Sequence, residues 1–285
     1  MTATPVEARS RYSAPAAGCA ADVLLKLART GTALSVGQLA ASTGSTKSLV
    51  YRVLAELERR RYVTRLDDGA YSLGLATVEL GGAFAVQMPL MSSVRRVCRW
   101  LADFTEETVN LGILQEDHVL YLMREEGGRS VYALSFVGKL LPANAVALGK
   151  ALLATLAPER VPEIFADQLS AEGQLASLTE STITSLEELA EDLDRVRVRG
   201  YAEELGEAVA GRCCVAVTVP FDAVSQTTVG IGVSMDAVRH DELRGVVLDG
   251  LRDARDQITR EVNGRAAIGE EPSRTELMIG GMTQW

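Results

Sequence analysis

Residues 44–74 read GSTKSLVYRVLAELERRRYVTRLDDGAYSLG, and this stretch decides the fold of the first quarter of the chain. Its first half is amphipathic: at 100° per residue, five apolar side chains fall within an arc of about 140°. They are Leu49, Val50, Val53, Leu54 and Leu57. Its second half places two short β-prone runs around Asp68-Gly69, a dipeptide that favours a tight hairpin turn. The stretch therefore predicts a helix followed directly by a β-hairpin.

Two shorter helices are predicted upstream of this stretch. Apolar residues at helical spacing between positions 20 and 28 indicate the first helix, which Gly31 ends. Ser35 and Gln38 have the spacing of a capping box and begin the second, which breaks at residues 42–44. Two short helices around a glycine-containing turn form a helix-turn-helix. With the hairpin behind it, the segment predicts a winged helix.

The polar face of the third helix suits DNA. In a winged helix this helix enters the major groove with its N-terminal residues at the base edges. Ammonium, guanidinium and hydroxyl groups can donate to guanine or to phosphates. The candidate DNA-binding residues are Ser45, Thr46, Lys47, Ser48, Tyr51 and Arg52, with Arg65 on the hairpin. An ordinary surface helix, or a helix that binds a partner protein, remains an alternative.

Charge is divided unevenly along the chain. The 285 residues contain 29 Lys and Arg against 38 Asp and Glu, for a net charge of −9. Residues 1–75 carry ten basic and six acidic side chains, a net +4, whereas the rest carries 19 and 32, a net −13. A basic segment joined to an acidic body indicates a polyanion-binding head on a regulatory or catalytic body. The alternative is a chance cluster of basic residues on a solvated face.

Composition excludes several classes of protein. Hydrophobic residues make up 47% and charged residues 24%, which excludes wholesale disorder. No apolar run approaches the 18–20 residues of a membrane span, and the polar N-terminus lacks a signal core, so we expect a cytoplasmic protein with no membrane partner. The four cysteines form no CxxC pair, so neither a disulfide scaffold nor a zinc module is expected. We expect no cofactor and no metal.

The remainder of the chain predicts an α+β domain. Residues 75–89 form a linker helix, and residues 90–264 alternate antiparallel strands with helices. Helices are expected at Ala143 to Ala157, which contains the charged Lys150, and at Thr184 to Arg199, with Thr184 and Glu187 as a capping box. Flexible tails are expected at residues 1–14 and 265–285, which leaves residues 15–74 as the winged helix.

Three ordered segments resemble the IclR family of bacterial transcriptional regulators. They are GSTKSLVYRVLAELERRRYVTRLDDGAYSLG (residues 44–74), LPANAVALGKALLA (141–154), and LTESTIT (178–184) with the later RGYAEELGEAVAGRCCVAVTVP (199–220). The resemblance implies an N-terminal winged helix-turn-helix, a linker helix and a C-terminal effector-binding domain related to GAF sensors. It further implies homodimers or dimers of dimers that bind double-stranded operator DNA and respond to a small molecule.

The resemblance also implies an effector pocket on one face of the C-terminal sheet. The matching positions are Ala147, Leu148, Glu204, Arg212 and Cys214, with Leu111 and Met123 closing the pocket. Glu204 stands where the family often has Asp. Arg212 stands where it often has a small or apolar residue; it can pair with a ligand carboxylate or face solvent. Glu207 matches a recurrent family Glu and is expected to hold a loop through backbone amides.

The function expected is a sequence-specific regulator, a repressor slightly more than an activator, controlled by a carboxylated or aromatic metabolite. The alternative is an enzyme acting on the small molecule in the C-terminal domain. Cys213-Cys214 can indicate nucleophilic chemistry, but His118 and His240 lie at no recognisable catalytic spacing from it. We therefore expect buried strand cysteines, no catalytic residues and no enzymatic activity.

Overall fold

The computed structural model describes residues 14–86, 89–129, 134–222 and 227–268. The chain separates into two compact units, Met1–Val86 and Gln87–Trp285. Within the described ranges, no helix is both long and apolar enough to cross a membrane.

The first unit is the expected winged helix-turn-helix, followed by one more helix. Its elements are α1 (Pro15–Thr30), α2 (Val36–Thr43), α3 (Lys47–Arg59), β1 (Val63–Arg65), β2 (Tyr71–Leu73) and α4 (Ala76–Val86). The strands β1 and β2 pair antiparallel. The amphipathic pattern of α3 is confirmed, since Val50, Val53, Leu54 and Leu57 are buried against α1 and α2.

Local signals set the ends of these helices. The Ser35 hydroxyl accepts a hydrogen bond from the Gln38 amide, and the Gln38 side chain accepts one from the Ser35 amide, which completes the predicted capping box. Thr46 caps α3 by accepting from the Leu49 amide. Gly44, at φ 63°, ends α2 in the left-handed conformation that glycine adopts without strain.

The second unit is built on one antiparallel sheet, as expected. Its elements are α5 (Pro89–Thr105), β3 (Thr108–Gln115), β4 (His118–Glu125), β5 (Leu140–Pro142), α6 (Ala147–Leu153), α7 (Arg160–Ile164), α8 (Ala166–Glu172), α9 (Leu186–Arg199), β6 (Ala202–Leu205), β7 (Arg212–Asp222), β8 (Thr227–Asp236) and α10 (His240–Ile268). The strand order is β5-β4-β3-β8-β7-β6. Every pair of neighbours is antiparallel.

The sheet has two apolar faces, and each packs against a different pair of helices. One face packs on α5 and α10 and the other on α6 and α9. The β3–β4 register shifts between Leu111 and Gly112, whose partners are Met123 and Tyr121. The extra residue in β4 turns Met123 toward α5 and α10 but leaves Tyr121 on the α6 side.

Three predicted boundaries were wrong. The helix expected at residues 143–157 is a 3₁₀ turn, Ala143–Ala145, followed by the shorter α6, because Val146 between them is extended. Ser185 rather than Thr184 caps α9, and its hydroxyl accepts from the Glu188 amide at 3.2 Å. The last helix continues to Ile268, beyond the expected domain end at residue 264. The predicted tails otherwise lie outside the described residues.

The break at Val146 depends on a glycine. A Cβ atom on Gly149 would lie 2.1 Å from the Ala143 carbonyl oxygen, which is backbone and cannot move aside. We predict that Gly149→Ala lowers the free energy of unfolding by about 2–3 kcal/mol through overpacking. Gly245, within α10, has open space around it, so Gly245→Ala should raise the free energy of unfolding by about 0.5–1 kcal/mol. Urea unfolding followed by circular dichroism measures both; a Gly149→Ala protein as stable as wild type would contradict this packing.

Candidate functional site

The polar face of α3 is open to solvent. Lys47, Ser48, Tyr51 and Arg52 are all exposed, and the Tyr51 side chain is 58% exposed. Arg52 Nε donates to the Ser48 carbonyl at 3.3 Å, so its guanidinium lies along the first turns of the helix. The side chains expected at the base edges therefore share one accessible face.

The remaining predicted DNA-binding residues differ in their exposure and in their hydrogen bonds. Thr46 is exposed, but its hydroxyl accepts the α3 capping bond, and Ser45 is only partly exposed. Arg65 is exposed on β1 of the wing. At the other end of α3, Arg59 and Arg60 both pair with Glu56, at 2.7 and 2.5 Å. That carboxylate offsets part of the positive charge there.

A cavity opens on the α6 face of the sheet in the second unit. Its open space is about 570 Å³, part of which is continuous with solvent. Its lining residues are Thr108, Asn110, Tyr121, Arg124, Leu134, Ser135, Leu141, Val146, Ala147, Glu204, Ala208, Val209, Arg212, Cys214 and Ser234. Polar side chains therefore make up about half of the wall.

Four of the seven predicted effector residues line this cavity: Ala147, Glu204, Arg212 and Cys214. The other three were placed wrongly. Leu111 and Met123 are buried on the opposite face of the sheet. The alternation of side chains along β3 and the register shift between β3 and β4 turn them toward α5 and α10. Leu148 points into the apolar cluster under α6, where its Cδ2 would lie 2.8 Å from a Cβ on Gly230.

Four polar residues form a row across the floor of the cavity. In the register of the sheet, Thr108 on β3 is opposite Ser234 on β8, Ser234 is opposite Cys214 on β7, and Cys214 is opposite Glu204 on β6. Directly opposite side chains in an antiparallel sheet project from the same face about 5 Å apart. The row therefore presents two hydroxyls, a thiol and a carboxyl in sequence.

Glu204 ends this row as a buried carboxyl, only 3% exposed. Its Oε2 accepts from the amides of Glu207 and Ala208, at 2.8 and 3.3 Å, and so ties the following loop to β6. Glu207 Oε2 accepts from the Ile183 amide at 3.5 Å, so the loop-holding role expected of Glu207 is shared with Glu204. Burial raises the pKa of Glu204 to about 7, although the two amides oppose this shift. Burial, with Glu204 beside it, also raises the pKa of the Cys214 thiol.

Beside the row lies a short hydrogen-bond chain. Arg124 Nη1 donates to the Ser135 carbonyl and hydroxyl, at 3.0 and 3.3 Å, and the Ser135 hydroxyl donates to Asn110 Oδ1 at 2.9 Å. Asn110 and Ser135 are both buried. Sequence reasoning missed all three residues, because Ser135 meets β3 and β4 only through the tertiary fold.

Arg212 lies at the side of the row, partly buried. Its Nη2 is 3.5 Å from the Ser234 carbonyl oxygen, a long contact. Among the described residues no carboxylate forms a salt bridge with Arg212, whereas its neighbour Arg239 pairs with the buried Glu107. The guanidinium is thus a cation at the cavity wall without a partner carboxylate in the described chain.

Behind the cavity lies a buried ion cluster that sequence reasoning also missed. Lys150, 1% exposed, places its Nζ 2.5 Å from Glu207 Oε1 and 3.0 Å from Asp192 Oδ2. This joins α6 and α9 to the loop that forms the cavity wall. A lone lysine within the apolar run 143–157 was the available signal, since a buried ammonium needs carboxylate partners.

The described residues that line the cavity include no histidine. Among the described residues, no three His, Cys, Asp or Glu side chains are placed to hold a metal ion. His118 contacts Asp117 at 2.7 Å and His240 contacts Glu203 at 3.3 Å, and neither histidine lines the cavity.

The raised pKa of Glu204 predicts a specific pH dependence of stability. Because its folded pKa, about 7, lies above the ordinary value of 4.5, its stability contribution is fully present below pH 4.5 and is lost as pH rises from there through 7. Between pH 5.5 and 8, the free energy of unfolding of wild type should therefore fall by about 2 kcal/mol more than that of Glu204→Gln. The glutamine keeps an oxygen that can accept from both amides. Urea unfolding of both proteins at both pH values measures this; parallel losses would show that Glu204 titrates normally.

Comparisons with known proteins cover both units. The family model "Bacterial transcriptional regulator IclR C-terminal" matches residues 83–260, and the model "IclR helix-turn-helix domain" matches residues 20–67. The HTH-type transcriptional regulator KdgR of Escherichia coli (strain K12) is 33% identical over 213 residues, covering 74% of this chain and 78% of that protein.

Solved structures share the fold. A transcriptional regulator of this family from Alicyclobacillus acidocaldarius has a TM-score of 0.75 at 25% identity, covering 88% of this chain and 100% of that one. An IclR homologue from Microbacterium hydrocarbonoxydans, complexed with 4-hydroxybenzoate, has a TM-score of 0.68 at 22% identity, covering 87% and 99%. The chain belongs to the IclR family of bacterial transcriptional regulators, with a DNA-binding helix-turn-helix domain followed by an effector domain.

Proposed function

We propose that α3 and the wing of this regulator recognise operator DNA, and that a small carboxylate in the second-unit cavity changes the affinity for that DNA. The observation that carries the ligand half of this proposal is Arg212. It is a guanidinium at a concave wall, with no carboxylate paired to it among the described residues.

The DNA half is supported by the exposed face of α3. Lys47, Ser48, Tyr51 and Arg52 are accessible together near the start of a helix that is packed on its other side. In a helix-turn-helix these positions meet base edges, and flanking cations meet phosphates. Ser45, Thr46 and Arg65 border this face and are proposed as backbone contacts.

For the ligand, we propose that Arg212 pairs with the carboxylate. Guanidinium groups bind carboxylates in a bidentate geometry with charge-assisted hydrogen bonds. The relative complexed with 4-hydroxybenzoate also carries an organic acid, although its likeness to this chain concerns the fold. Ala147, Glu204 and Cys214 are proposed as further walls of the same site.

Self-association is proposed from the surface of the first unit. Leu75 and three apolar side chains of α4 (Val78, Leu80 and Phe84) are exposed. Exposed apolar side chains grouped on one helix mark protein interfaces. We propose that α4 pairs with its copy in a homodimer, with dimers of dimers as the larger assembly. We propose that this dimer acts as a repressor on its operator.

We propose that the cavity binds its ligand without transforming it. A thiolate nucleophile is disfavoured because burial raises the pKa of Cys213 and of Cys214. The rival function, an enzyme acting on the ligand, predicts that the ligand is consumed. Recovery of unchanged ligand by mass spectrometry after incubation with the protein distinguishes the two.

The DNA proposal predicts the behaviour of Arg52→Ala. If Arg52 reads a base, this variant should lose about 1–3 kcal/mol of binding free energy and relax the sequence preference. If it contacts phosphate, binding to every sequence should weaken and the dependence on salt should flatten. Arg252→Ala, which removes the same charge from the exposed surface of α10, is the matched control.

The measurement is fluorescence anisotropy of labelled DNA from the protein's own promoter region, against scrambled DNA, at two salt concentrations. Wild type should bind the promoter fragment more tightly and in a salt-dependent way. Equal affinities of wild type and Arg52→Ala for both DNAs would contradict the proposed interface.

A further inference from the structure

We propose that residues 269–285 fold back along α5, and that the apolar side chains of residues 277–285 cover an exposed aromatic patch on α5 and α10. The occupant of this patch is thus a segment of the same chain. Both helices lie on the far side of the sheet from the cavity, so the inference does not depend on the proposals for the ligand or for DNA.

The patch consists of large apolar side chains that the described chain leaves exposed. Trp100 and Phe104, four residues apart on α5, are 36% and 51% exposed, and Val246 on α10 is 44% exposed. The two rings stack, with centroids 5.5 Å apart and planes inclined by 12°. Grouped exposed apolar side chains mark a surface that another segment or molecule covers. These three residues are called the aromatic patch below.

Gly250 lies beneath the patch and joins the two helices. A Cβ atom on Gly250 would lie 2.7 Å from Leu101 Cδ1 and 3.2 Å from Phe104 Cδ1, so both side chains lie directly against α10. Val246 is one helical turn before Gly250 and therefore on the same side of α10. The three exposed side chains thus belong to one surface that crosses both helices.

Residues 269–285 lie outside the described residues, and their sequence has two parts. Residues 269–276 (GEEPSRTE) contain three glutamates and one arginine, whereas residues 277–285 (LMIGGMTQW) contain no charged residue. The large apolar side chains of the second part are Leu277, Met278, Ile279, Met282 and Trp285. Such side chains are stabilised when they are removed from water against other apolar groups.

The length of the acidic part matches the distance to the patch. α5 and α10 run antiparallel, because Gly250 lies against Phe104 whereas Glu261 pairs with Arg96 at 3.8 Å. The end of α10 is about 27 Å beyond the level of Gly250, at 1.5 Å per helical residue. The eight residues of the acidic part, extended at about 3.3 Å each, span about 26 Å. The apolar part therefore reaches the patch when the chain reverses direction after α10.

Charge favours the same path. Arg96, Trp100 and Phe104 succeed one another at intervals of four residues, so they share one exposed face of α5. A segment that returns from the end of α10 passes Arg96 before it reaches the two rings. The two adjacent glutamates of the acidic part then lie near this guanidinium. The order along the segment, acidic and then apolar, thus matches the order along α5, basic and then aromatic.

Tethering makes a modest contact sufficient. A segment joined to its site by a short linker has an effective concentration of about 1 mM. A contact that would be weak between separate molecules is therefore mostly formed within one chain. Covering two aromatic rings with several apolar side chains provides a contact of this kind.

The two tryptophans of the chain make the test direct. They are Trp100 in the patch and Trp285 in the segment, so Trp285→Phe leaves Trp100 as the single tryptophan. Acrylamide quenching of its fluorescence then measures how far the patch is covered. In this background, Ile279→Asp should raise the quenching constant about twofold or more, because an unpaired carboxylate is not buried in an apolar contact. Val198→Asp, which places a carboxylate at a 91% exposed position on α9, is the matched control and should leave the constant unchanged.

A charge reversal provides a second variant. In the same background, Arg96→Glu should also raise the quenching constant, because the acidic part is then repelled from α5. Adding Glu270→Lys and Glu271→Lys to this variant should bring the constant back to its original value.

Three results would overturn the inference. Equal quenching of Trp100 with and without Ile279→Asp would show that residues 277–285 do not cover the patch. Protection of Trp100 that is lost when the protein is diluted would assign the patch to a second copy of the chain. An increase in Arg96→Glu that the two lysines fail to reverse would exclude the path along α5.

Discussion

The second unit depends on one ammonium group enclosed by protein. Lys150 is almost fully buried within the apolar cluster under the sheet, and it contacts Asp192 on α9 and Glu207 on the loop after β6. A buried charge is tolerated only when paired, and removing one partner of a buried pair typically costs about 3–5 kcal/mol. Three segments distant in sequence are therefore held in one arrangement, and that arrangement forms a wall of the cavity.

The loop held by Lys150 is also fixed from other directions. Thr182 Oγ1 donates to the Glu207 carbonyl at 2.7 Å, and Glu204 receives the Glu207 and Ala208 amides. Because the loop is tied at backbone and side chain, the Ala208 and Val209 walls face the floor row in a defined position. A site prepared in this way loses little conformational entropy when a ligand binds. The same network joins this wall of the cavity to α9 through Lys150 and Asp192.

The sequence predicted the first unit almost completely because its signals are local. The Ser35–Gln38 capping box, the α3 wheel and the Asp68-Gly69 turn each act within a few residues, and each formed as expected. Predictions for the second unit failed where the structure depends on contacts between residues that are distant in sequence. No local pattern reveals the register shift that sends Met123 away from the cavity, and the Arg124–Ser135–Asn110 chain depends on contacts across 11 and 25 residues. The resemblance to the family identified Glu204, Arg212 and Cys214 as pocket residues, which the hydrophobic periodicity alone could not do.

The most direct test of this account is amide hydrogen exchange in Lys150→Met. If Lys150 holds the cavity wall, the amides of residues 204–211 should lose far more protection than those of β8 in the same sample, because α6, α9 and the loop are no longer joined. Asp192 and Glu207 remain in place, so any selective loss is due to the missing ammonium group. Exchange that rises equally in the loop and in β8, or stays unchanged in both, would contradict the claim that this ion cluster organises the ligand site.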